Sequence, residues 1–194
     1  MKISPPGSEP QISPALADRL ARLAQPPLLT ALAALLAVFY LVLFPAMLAA
    51  SPALQQNGLL DTRLHYSPAE VYQILEAYGP AGRAQYVLTT AMLDFTFPVV
   101  YALLLALLTA PRLVNAFPGT PRLHWLALLP FAALLFDWLE NGCVLALLLS
   151  YPQRLDGLAA AAGTFTLFKW ISFMLAVLIA AGSLLVARLR RQAQ

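Results

Sequence analysis

Four stretches of this chain are apolar over about the thickness of a bilayer, and nothing else in it constrains the fold as strongly. They cover about residues 27–50, 86–110, 125–149 and 163–186. A membrane-crossing helix needs about 20 mostly apolar residues at 1.5 Å rise each, and every stretch supplies them. The expected fold class is therefore all-α: an integral membrane four-helix bundle with one extracytoplasmic loop carrying a short amphipathic helix. Composition agrees. Of 194 residues, 60% are hydrophobic and only 11% charged, against about 25% charged in soluble domains.

The formal charge of +3 comes from ten arginines and two lysines set against nine acids. The arginines stand at the ends of the apolar runs and form no long basic stripe. They read as topology determinants, with no nucleic-acid partner expected. Cys143 is the only cysteine, so an intramolecular disulfide and a cysteine-based metal site are both excluded. Its position in an apolar run makes it a small packing residue. Residues 1–26 are polar and Pro-rich, and no cleavable signal peptide is expected.

Residues 27–188 are expected to form one transmembrane domain between cytoplasmic tails at 1–26 and 189–194. Residues 1–14 read as a disordered tail. Ala15 to Ala24 has helical spacing, with Leu16, Leu20 and Leu23 on one face, and is expected to lie on the membrane surface. Pro45 is expected to kink the first membrane helix. In the loop after that helix, Ser67-Pro68-Ala69-Glu70 is a capping box with proline at the first helical position. Val71, Ile74, Leu75 and Tyr78 then make an apolar stripe, and Gly79-Pro80 ends the helix, giving a loop helix over 68–78. So short a helix is marginal in water. Its stripe must rest either on the bilayer interface or on the mouth of the bundle, as a lid.

The basic residues outside the spans divide unevenly. Lys2, Arg19, Arg22, Arg112, Arg122, Arg188, Arg190 and Arg191 fall on one side, and Arg63, Arg83 and Arg154 on the other. Eight against three predicts cytoplasmic N and C termini and an outward-facing loop.

Polar residues interrupt the spans at a few places. Asp137, Glu140 and Asn141 sit at i, i+3 and i+4, on one helical face. Asp94 and Tyr101 are seven residues apart in the second span, and Lys169 is near the start of the fourth. Pro98 clashes with the carbonyl four residues back, so a partly freed backbone carbonyl is expected at Asp94. Asp94 lies roughly 12 Å below the outer end of its helix at 1.5 Å per residue. Glu140, Asn141 and Lys169 come out at the same level, and Asp137 about one turn deeper.

Ionisable groups at membrane depth mark either a functional site or a polar network between helices. Three carboxylates and one ammonium cannot all stay ionised in a low-dielectric site. Asp137, as the deepest, is expected to be the protonated member. One reading is structural: a Lys169–carboxylate pair with neutral acids hydrogen-bonded to Asn141, Tyr101, Thr90 or Ser172. The leading reading is a site for a lipid-like or cationic ligand, or for protons, made by Asp94, Tyr101, Asp137, Glu140, Asn141 and Lys169. Aromatic residues crowd the same level, among them Phe97, Tyr101, Trp170 and Phe173, and suit an apolar pocket with acids at its base. A third reading is a membrane enzyme acting on a lipid or isoprenoid, with Asp137 or Glu140 as general acid. A fourth is a subunit of a larger complex, docked through the small-residue stripe Ser172, Ala176 and Ala180. No metal and no cofactor are expected. His65 and His124 flank the membrane on opposite sides, His65 solvated and His124 an interfacial anchor beside Trp125.

Asp61-Thr62-Arg63, Tyr66-Ser67-Pro68, Gly82-Arg83, Tyr86, Asp94 with Phe97-Pro98 and Tyr101, Asp137 with Glu140-Asn141, and Lys169 together resemble a group of small four-helix bacterial membrane proteins. The likeness spans about residues 28–186. It implies a multi-pass protein of the bacterial cytoplasmic membrane and no particular activity. In topology the chain is also similar to the EXPERA superfamily, which includes the emopamil-binding sterol isomerase and the sigma-2 receptor. There too a first helix precedes a loop with a short helix, and an acid precedes a proline in the second membrane helix. The first apolar run here lacks the acid those proteins carry.

Overall fold

The computed structural model describes residues 12–192, and its elements there are helical, with no strand among the described residues. Most of the tail expected to be disordered, and residues 193 and 194, lie outside the described residues. The first helix, Ile12–Leu23, starts before Ala15 and takes Pro14 into its first turn, where backbone N–H groups have no helical partner to lose. It does not simply lie on a surface. Leu20 joins Ala106, Leu107, Ala110 and Ala127 in a small core cluster, while Leu16 and Leu23 stay exposed.

Four helices are long and apolar enough to cross a membrane: Pro26–Ala49, Pro68–Ala116, Pro121–Ser150 and Asp156–Leu189. By length and composition the chain is thus a multi-pass membrane protein. The third opens with a 3-10 run, Pro121–Leu128, before the α-helix Leu129–Ser150. The fourth begins at Asp156, earlier than the Leu158–Thr164 window the sequence suggests.

The loop helix and the second membrane-length helix are one continuous run. Ser67 caps it: its N–H donates to Glu70 Oε2 at 2.7 Å, and its Oγ accepts from the Glu70 N–H at 3.4 Å. Gly79 and Pro80 do not separate two elements. They make a sharp kink at which Gly79 takes φ +62° and ψ 178°, backbone that essentially only glycine adopts. Pro80 then opens the next helical stretch, where its fixed φ is already suited.

The apolar stripe of the loop helix settles on the bundle. Val71, Leu75 and Tyr78 are buried with Leu54, Leu60, Tyr86, Val144 and Leu147 in the largest core cluster. Fully burying each such aliphatic side chain is worth about 1.5–3 kcal/mol. Arg83 lies over the Tyr151 ring at 4.0 Å and Arg154 over Tyr72 at 4.4 Å, tying the loop helix to the loop between the third and fourth helices.

Two prolines leave matching marks. Pro45 follows a π turn at Phe39–Leu43, and Pro98 follows another at Thr90–Asp94. Each proline removes an N–H from the ladder, and a wider i→i+5 turn before it absorbs the mismatch.

The third and fourth helices pack most extensively, with the second across both. Ser172 and Ala176 are buried inside this packing and Ala180 is half-buried, so the small-residue stripe expected to dock a partner is used within the chain. The first membrane-length helix stands apart. Only Phe39 is buried among its residues, and its extended helix-on-helix contact is with the second.

Candidate functional site

Lys169 is the centre of a buried network. Its side chain reaches Glu140 Oε2 at 2.6 Å and Asp137 Oδ1 at 3.8 Å, and it donates to the backbone carbonyl of Asp61 at 3.0 Å. Glu140 is 0% exposed and Lys169 6%. A charge so buried is tolerated only when paired and hydrogen-bonded. Glu140 meets that condition: Oε1 accepts from Thr166 at 2.5 Å and from Tyr66 at 3.1 Å. Burial and the neighbouring Glu140 push the Tyr66 phenol far above its ordinary range, which keeps it a donor.

Asp137 is supplied from two further helix positions. Tyr101 donates to its Oδ2 at 3.1 Å and Asn141 to its Oδ1 at 3.0 Å. Asn141 also donates to the backbone carbonyl of Asp94 at 2.8 Å. That carbonyl stands four residues before Pro98 and has lost its helical donor. Depth made Asp137 the odd member of the set on sequence grounds, but donor supply reverses this. Asp94 is the exception: it is 4% exposed, and its Oδ2 has no hydrogen-bond partner among the described residues.

The predicted residues therefore come together in two parts. Lys169, Glu140, Asp137, Asn141 and Tyr101 form a mutually satisfied network. Asp94 touches it through its backbone and turns its carboxyl elsewhere. It lines a cavity of about 230 Å³ whose wall also includes Asp61, Asp137 and Lys169. Glu140 lies behind Lys169, off the cavity. Three carboxyl groups line it against one ammonium, which is already engaged by Glu140.

The remaining wall is largely aromatic. Phe97 sits against Tyr40 at 5.3 Å, Phe44 at 5.2 Å and Tyr101 at 5.4 Å between ring centroids. Tyr101 continues to Phe173 at 5.2 Å, and Phe173 to Trp170 at 6.0 Å. Such tilted and edge-to-face contacts are the favoured aromatic geometry. They carry the wall across three helices. Phe136, Phe165 and Phe168, which sequence reasoning grouped with these, stack on one another away from the cavity.

The loop before the capped helix roofs the site. Leu59 is 5% exposed, Leu60 0% and Tyr66 1%. The Trp170 indole N–H donates to the Arg63 carbonyl at 2.8 Å, and the Leu60 N–H donates to the Tyr86 hydroxyl at 3.1 Å. Gly163 makes this approach possible, because a Cβ there would collide with the Tyr66 carbonyl.

Sequence reasoning left Tyr40, Asp61, Tyr66, Tyr86 and Thr166 out of the site. Asp61 and Tyr66 stand in a loop, where no period aligns them with a helix face. Thr166 is one turn before Lys169, and that spacing was a usable signal. His124 is not simply an interfacial anchor: it is 4% exposed, and its Nε2 lies 3.1 Å from the Phe117 carbonyl. His65 is exposed. Among the described residues no group of three or more His, Cys, Asp or Glu is arranged to hold a metal ion. Lys169 occupies the centre that a set of carboxylates would offer one.

The chain matches no family model, no curated protein and no solved structure.

Proposed function

We propose that this protein binds the cationic head of a lipid-like amphiphile in the cavity beneath the loop. The observation that carries this reading is the wall of that cavity: aromatic on most sides, with a buried carboxyl oxygen of Asp94 that meets no donor. A protonated amine would give Asp94 the donor it lacks, and the aromatic rings would cradle the cation and its first methylenes. The Lys169–Glu140 network is the scaffold that holds the second, third and fourth helices in register around the cavity. The protein is a multi-pass membrane protein of the bacterial cytoplasmic membrane, both termini are cytoplasmic, and the loop roof faces outward. The bias of arginine and lysine across the loops supports this orientation.

The test is binding of dodecylamine, against dodecanol as the neutral control, to the purified protein in nanodiscs. Asp94→Asn is expected to weaken amine binding at least tenfold and to leave the melting temperature within a few degrees of the parent. Equal binding of amine and alcohol, unaffected by Asp94→Asn, would sink the reading.

A further inference from the structure

We infer that the cavity opens sideways into the bilayer, through the seam between the first and fourth membrane-length helices, so that its ligand arrives from the lipid and not from water. This rests on the reading of the cavity as an amphiphile site. Three observations point to the seam.

The water-facing end is shut. The loop over the cavity is buried at Leu59 and Leu60 and held by side chains of the fourth helix, Lys169 to the Asp61 carbonyl and Trp170 to the Arg63 carbonyl. A solute coming from that side would have to break several hydrogen bonds and expose buried leucines.

The lipid-facing side is not shut by helix packing. Tyr40 of the first helix and Trp170 of the fourth both line the cavity, yet these two helices make no extended contact with each other. Aromatic rings bridge them through Phe97 and Tyr101 of the second helix, at the back of the cavity. Tyr40 is 57% exposed and Leu41 beside it 76%. In a membrane that surface meets acyl chains.

Size agrees. At about 230 Å³ the cavity is smaller than the roughly 300–1,000 Å³ typical of sites that enclose a whole drug-sized ligand. It takes a head and the start of a chain, and the rest must leave through an opening lined by apolar surface. The seam is that opening, and it selects single-chain amphiphiles that enter head first.

Trp170 reports on the seam directly. In a chain carrying Trp125→Phe and Trp138→Phe it is the sole tryptophan, and its emission is read in phosphatidylcholine nanodiscs. Nitroxide-labelled lipid is expected to quench it, and aqueous iodide is not. Quenching by iodide without quenching by lipid, or by neither, overturns the seam. If the double variant does not fold, the same loss is read as the difference between the native chain and Trp170→Phe. Added dodecylamine tests the occupant separately. Lipid quenching that dodecylamine fails to relieve leaves the seam in place and removes the cationic head.

Discussion

The side-chain amide of Asn141 donates to the backbone carbonyl of Asp94 at 2.8 Å, the carbonyl that Pro98 deprives of its helical partner. A break in one helix is thus repaired by a side chain of another. Asn141→Leu should leave that carbonyl and Asp137 Oδ1 short of a donor, at a cost of about 1–3 kcal/mol. Pro98→Ala in the same chain should recover part of the loss by restoring the N–H. Thermal unfolding in detergent measures both, and equal loss in the single and double variants would refute the repair.

Lys169→Met should destabilise by about 3–5 kcal/mol, because it strands a buried Glu140. Adding Glu140→Leu should return most of that. If the double variant is no better than the single, the pair is not the unit of stability that its 2.6 Å separation implies.

Gly163→Ala should displace the loop. Its methyl would meet the Tyr66 carbonyl, so Tyr66 would lose its contact with Glu140. Amide exchange in residues 59–66 should accelerate. Gly142 is a matched control, since a Cβ there meets nothing within 4 Å. Gly142→Ala should stabilise by up to about 1 kcal/mol.

Gly79→Ala should cost about 1–3 kcal/mol, although the space around the position is open. The cost is conformational: φ +62° with ψ 178° is closed to alanine. Differential scanning calorimetry distinguishes this from a neutral surface change.

Much of this arrangement was legible in the sequence, for identifiable reasons. The apolar runs report the spans because a bilayer demands length and apolarity together. Ser67 to Glu70 reports a helix start because the capping partners are three residues apart. Pro98 reports a damaged carbonyl at Asp94 because its clash is local. The rest depends on partners distant in sequence. Tyr66 meets Glu140 across 74 residues and Lys169 meets Asp61 across 108, and no spacing within a helix encodes either contact. The kink at Gly79-Pro80 misled for a related reason. Glycine before proline ends one helix and can begin another with equal ease, and only the burial of the loop helix against Val144 and Leu147 decides that the chain turns straight into the second span.

The π turns before Pro45 and Pro98 make the cavity a matter of counting. Each winds one residue more into a turn than the α-helix around it. Deleting a single residue from Thr90–Asp94 would return that segment to ordinary winding and rotate the residues before it by about 100° relative to those after it. Composition and hydropathy would barely change, and the span would still cross a membrane. Yet Asp94 and Tyr101 would no longer address the same neighbour, and a chain differing by one residue would have no acid wall.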